Sequence, residues 1–140
     1  MREITRFKGY RFDRSEITLN PPAKNETFKI APFFELTCKA SDSNETLSAT
    51  LSVTIKTDAA TGTRAPFDLK VSLTGDFELG ADLINFKKGQ VRFAIETLFP
   101  YMRAFVSNLT AMCGLLPFIL PLIDVEQMVS SVRDANELPN

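Results

Sequence analysis

The chain has 140 residues, 44% of them hydrophobic and 24% charged, with 16 Lys and Arg against 17 Asp and Glu and no histidine. A chain of this size buries roughly two thirds of the surface its unfolded form exposes, so a single domain over 1–140 needs neither disulfide nor metal to fold. The near-neutral, intermixed charge excludes holding nucleic acid or an anionic membrane by a basic field, and the missing imidazole removes the commonest general base, nucleophile activator and transition-metal ligand.

The opening MREITRFKGYRF has the positive charge of a signal n-region but no apolar run after it, so the expectation is a cytoplasmic protein. Ile4–Phe12 and Ile17–Leu19 alternate weakly on either side of Asp13–Glu16, which predicts one bent or bulged strand. The run Asn20 to Asn25, with Pro21 and Pro22, then predicts a loop.

Three segments of regular period-two alternation follow. Phe28, Ile30, Pro32, Phe34, Leu36, Cys38 and Ala40 fall on one side of the first. Leu47, Ala49, Leu51, Val53 and Ile55 line the second, and Phe67, Leu69, Val71, Leu73, Phe77 and Leu79 the third. Their opposite sides are Ser, Thr, Lys, Asp and Glu, the pattern of an antiparallel sheet with one wet face. Ser41–Asn44 predicts a tight hairpin and Asp58–Thr63 a longer connection, so these strands form a consecutive meander. The sheet part spans about 3–80.

After Leu79 the period changes to that of a helix, and the helical part spans about 89–136. Val91, Ala94, Ile95, Leu98, Met102, Phe105, Val106, Leu109 and Met112 share one face from Gln90 to Cys113. Phe93, Phe99, Tyr101 and Ala104 widen that face beyond what one sheet covers, which points to a partner subunit. Pro100 lies inside the pattern and should kink or break the helix. Gly114 ends it. Met112–Ile123 is a twelve-residue apolar stretch holding Pro117 and Pro121, too short for the roughly 20 residues that span a bilayer. Asp124 then opens a shorter helix as its N-cap, with Gln127 at the return position of a capping box and Val125, Met128, Val129 and Val132 on one face. Cys38 and Cys113 have neither redox nor ligand spacing and read as small buried hydrophobes. No cofactor is implied.

The order of elements and the run Leu98-Phe99-Pro100-Tyr101 with Arg103 resemble the SecB family of cytoplasmic protein-export chaperones, whose first long helix carries leucine, phenylalanine, proline, tyrosine, alanine, arginine; here Met102 replaces the alanine. Leu116-Pro117 and Leu120-Pro121-Leu122 are similar to that family's later proline-containing pieces. The resemblance covers the element order over nearly the whole chain and, at residue level, about 30 positions from Thr97 to Met128.

The resemblance implies an α+β fold: a four-stranded antiparallel sheet with a long kinked helix and a short C-terminal helix on one face. It also implies assembly as a dimer or dimer of dimers, with the long helices between the sheets. Its implied partners are unfolded or precursor polypeptides, held without ATP in an apolar groove. The residues it offers for that groove are Phe99, Tyr101, Leu116, Phe118, Ile119, Leu120, Leu122 and Ile123; the other reading of each is core or subunit interface. Phe118–Ile123 stand out because a proline-bounded run is neither regular strand nor helix and yet is too apolar for a solvated loop.

The family docks the motor ATPase SecA on acidic residues, and Glu16 matches one such position. Asn20 falls where a second acid is usual and Lys70 where a glutamate would be, so SecA docking is expected to be weak or missing. Relatives in the family also serve a single aggregation-prone antitoxin, which gives a narrower alternative. An enzyme of the hotdog type is the alternative from another class; there the long helix comes after the first strand, whereas here it follows the strands, and the only acid on it is Glu96.

Overall fold

The structure, a computed structural model, describes residues 4–20, 30–41, 45–57, 64–79 and 88–131. Strands β1 (Ile4–Leu19), β2 (Phe33–Ala40), β3 (Thr46–Ile55) and β4 (Phe67–Leu79) precede helices α1 (Lys88–Met112) and α2 (Val125–Ser131). The expected loop from Pro21, the start of the second alternating segment at Phe28, most of both hairpin connectors and Val132 lie outside the described residues.

The three regular alternations form the meander β2-β3-β4, all antiparallel, and β1 pairs with the far side of β4, giving the order β1-β4-β3-β2. β1 is one 16-residue strand whose register slips near Ile4, Phe7 and Phe12. Gly9 sits at the second slip with φ +148°, a conformation that side chains with a Cβ rarely adopt. The bent strand expected around Asp13–Glu16 is therefore continuous. β2 begins later than the alternation implied: Ile30 and Pro32 precede the ladder, in keeping with proline's missing donor.

One face of the sheet is core. Leu36, Leu51, Leu73, Leu47 and Phe77 are buried beneath Val91, Ala94, Ile95, Leu98 and Met102 of α1. Helix and sheet pack closely at Gly75, where an added Cβ would stand 2.6 Å from Leu98 Cδ2. The other face is a ladder of hydroxyls and charges: Ser48 Oγ donates to Asp76 (2.8 Å), Thr50 and Thr74 share a hydrogen bond (2.9 Å), as do Ser52 and Ser72 (3.1 Å), and Arg11 bridges Asp13 and Asp76.

Pro100 does not break α1, which runs uninterrupted from Lys88 to Met112. The ring lies on the exposed side, so the one backbone hydrogen bond it forbids, to the Glu96 carbonyl, is lost toward solvent and not within the core. Asp124 caps α2 as expected, its carboxylate accepting from the Gln127 amide at 3.1 Å. Arg92 of α1 forks onto Glu126 of α2 at 2.8 and 2.9 Å, which holds the guanidinium pKa above its ordinary value. No helix among the described residues is long and apolar enough to cross a membrane.

Candidate functional site

The proline-bounded connector between the helices is fixed from its first residue. Gly114 takes φ +85°, its amide donates to the Ala111 carbonyl, and the Leu115 amide donates to the Thr110 carbonyl, both at 3.1 Å; this 5→2 and 6→1 pairing is a Schellman closure. Thr110 extends the closure into the connector. Its buried hydroxyl donates back to the carbonyls of Val106 (2.9 Å) and Ser107 (3.0 Å) and accepts from the Phe118 amide at 2.9 Å.

Two side chains then pin the segment inward. Leu120 is 0% exposed, and Phe118 packs edge-on against Phe67 with centroids 6.0 Å apart. With these turned in, the residues between them turn out: Leu116 is 90% exposed, Ile119 53% and Leu122 80%. The pattern follows from the chemistry of the run. Pro117 and Pro121 forbid a regular ladder or helix, so residues alternate irregularly between core and solvent, and every one of them is apolar.

At the end of the connector a cleft of ≈ 330 Å³ opens against the start of β2. Phe33 and Phe34 form one wall, and Leu122, Ile123 and Met128 the other. Phe33 is 61% exposed and lies opposite Thr54, on the polar face of the sheet. This residue was missed by the sequence reading, although the signal was present: an aromatic on the wet side of an otherwise regular alternation.

The residues offered for a client groove therefore do not form one surface. Leu122 and the half-buried Ile123 line the cleft, Leu116 and Ile119 are exposed earlier on the connector, and Phe118 is turned onto Phe67. Leu120 belongs to the core, where it is fully buried, and Phe99 is buried too, edge-on to Phe34 at 6.0 Å. Tyr101 is at the opposite edge, stacked on Tyr10 of β1 (4.3 Å) and near Phe7 (6.1 Å). It clasps the bent strand to the helix, as Phe105 does by stacking on Phe12 at 3.9 Å.

Glu16 is exposed on β1, hydrogen-bonded by Arg14 at 3.0 Å and opposite Lys70 in the ladder. Asn20 has a structural task. Its side-chain amide donates to the Ala65 carbonyl (3.0 Å) and the Asp68 carboxylate (3.2 Å), and Asp68 also accepts from the Thr57 amide (3.1 Å). A carboxylate at position 20 would face that of Asp68, so the place where the export family has an acid is here closed to one.

No family model matches the sequence. It is 32% identical over 75 residues to the uncharacterized protein MJ0357 of Methanocaldococcus jannaschii, a match covering 53% of this chain and 48% of that protein; the chain thus spans about half the length of this relative. Among solved structures, it is similar to the SecB-like chaperone Rv1957 of Mycobacterium tuberculosis in complex with a ChAD peptide from the Rv1956 HigA1 antitoxin. The TM-score is 0.66 at 14% identity, over 84% of this chain and 90% of that one. A protein of unknown function from Streptococcus agalactiae is similar with TM-score 0.54 and 12% identity, over 87% and 99% of the two chains. The long helix following four antiparallel strands, with a short helix closing the same face, is a SecB-like fold.

Proposed function

We propose that this protein is an ATP-independent chaperone that holds unfolded polypeptide on the apolar connector and the cleft beside it. The observation that carries the reading is the outward display of Leu116, Ile119, Leu122 and Phe33 on a backbone already fixed by Thr110 and Leu120. Holding in this manner uses exposed apolar area alone and no catalytic group. Each client side chain buried there contributes roughly 1.5–3 kcal/mol, so a few weak subsites retain a client without reading its sequence. The placement of the long helix after all four strands also speaks against the hotdog-type enzyme.

The purified protein is expected to suppress aggregation of an unrelated denatured protein, without nucleotide, at near-stoichiometric ratios. The double substitution Leu116→Ser, Leu122→Ser is expected to abolish suppression and leave the melting temperature within a degree or two. Full suppression by that variant would remove the connector from the reading.

A narrower function, service to one cognate segment such as that of an antitoxin, is favoured by the similarity to a chaperone whose structure holds an antitoxin peptide. Tight one-to-one binding of one segment, with no effect on unrelated denatured proteins, decides for it. Export through SecA has weak support. The surface around Glu16 is charge-balanced by Arg14 and Lys70, and Asn20 is engaged elsewhere. Glu16→Lys should leave client holding unchanged, and any SecA binding found should fall with it. Self-association, through the face of α1 turned away from the sheet, completes the proposal.

A further inference from the structure

The hydroxyl ladder on the polar face of the sheet stops at Ser52. Ser48 with Asp76, Thr50 with Thr74 and Ser52 with Ser72 satisfy one another across β3 and β4, but the next residue of β3 on that face, Thr54, stands opposite Lys70. The register carries this row over all four strands: Phe33 of β2, Thr54 of β3, Lys70 of β4 and Glu16 of β1. A hollow of ≈ 170 Å³ opens on it, lined by Glu16, Thr18, Thr54, Lys56, Asp68 and Lys70.

The acids of this hollow are engaged and its donors are not. Asp68 accepts from the Asn20 side chain (3.2 Å) and the Thr57 amide (3.1 Å), and Glu16 accepts from Arg14 (3.0 Å). Lys56 and Lys70 are exposed, and among the described residues neither they nor the hydroxyls of Thr18 and Thr54 have a hydrogen bond or ion pair. Glu35 stands a row away, opposite Ser52, and does not line the hollow. Two ammonium groups and two hydroxyls are thus left to a ligand, and they suit an acceptor that carries negative charge. At the other end of the row Phe33 offers an apolar contact and belongs also to the wall of the cleft.

Neighbouring strands lie about 4.8 Å apart, so Phe33 and Lys70, two strands apart, are separated by about 9.6 Å. An unfolded segment in the polyproline II conformation returns to the same side every third residue, after about 9.3 Å. We infer that a client leaving the cleft crosses the sheet edge at Phe33 and sets a carboxylate on Lys70, so that the preferred segment carries an apolar residue and an Asp or Glu three positions apart. The occupant is a polypeptide because the row is continuous with the cleft and pairs an apolar contact with a cationic one, whereas an inorganic anion would meet the lysines alone. The inference deepens the proposed function by naming its substrate more closely, and it rests on that reading.

Fluorescence anisotropy with the full chain tests the two separately. Labelled peptides identical except for Glu, Gln or Lys three positions after a single Phe are titrated at low ionic strength. The Glu peptide is expected to bind about threefold more tightly than the Gln peptide, and the Lys peptide more weakly than either, with the spread shrinking in high salt. Moving the Glu next to the Phe should erase its advantage. Lys70→Glu, at an exposed position, should invert the order in favour of the Lys peptide at an unchanged melting temperature. Equal affinity for all three peptides, affinity for none, or an order that Lys70→Glu leaves as it was overturns the acidic preference, and the chaperone reading stands if a denatured protein is still held. Failure to hold a denatured protein as well overturns both. Saturation of Lys56 and Lys70 by inorganic phosphate at micromolar concentration, with no preference among the peptides, assigns the hollow to a free anion and overturns the inference.

Discussion

Gly75 admits the helix to the sheet. A Cβ there would stand 2.6 Å from Leu98 Cδ2, well inside van der Waals contact, and because Leu98 is fully buried its side chain can give way only against its packed neighbours. Gly75→Val is expected to lower stability by about 1–3 kcal/mol, read as a lower urea midpoint. Thr110 is as specific in another way. Thr110→Val keeps its shape but leaves the Phe118 amide without an acceptor, at a cost of roughly 1–3 kcal/mol, and hydrogen exchange at Phe118 should accelerate well before global unfolding. Neither role was legible in the sequence. A threonine near a helix end and a glycine within a strand are ordinary, and their partners are set by folding, 8 residues on for Thr110 and on another element for Gly75.

At the scale of elements, the connector shows how far pattern reading reaches. Its apolar, proline-bounded composition marked it as unusual. Which residues point inward depended on anchors beyond the run, so Leu120 was grouped with Leu122 although one is buried and the other exposed. Leu120→Ala is therefore expected to destabilise by about 2–5 kcal/mol in chemical denaturation, while Leu116→Ser stays within about 0.5 kcal/mol of wild type. The strands and both helices were legible because their periods differ and their faces are clean. The persistence of α1 through Pro100 was not, since a proline's effect depends on whether the lost bond faces solvent, and that is decided by packing. The Arg92–Glu126 fork between α1 and α2 is exposed, so Glu126→Gln is expected to shift stability by less than about 1 kcal/mol, and less still in high salt.

For the molecule as a whole, the meander announced itself through three consecutive alternations, but the return of β1 to pair with β4 did not. A strand's period records which face is buried and carries no label for its neighbour. The same pairing sends β1 and β2 to opposite edges, and it separates Tyr101 from the cleft that the sequence grouped it with. The Schellman closure and the Thr110 bond have one more implication, which concerns heat. A surface whose backbone is set before its ligand arrives has little of its own to order on binding. The heat-capacity change on capturing a client should then be negative and scale with the apolar area that the client buries, with only a minor share from folding of the connector. Stiff extended clients should outrank flexible ones of equal composition, because the remaining entropy to be lost is theirs.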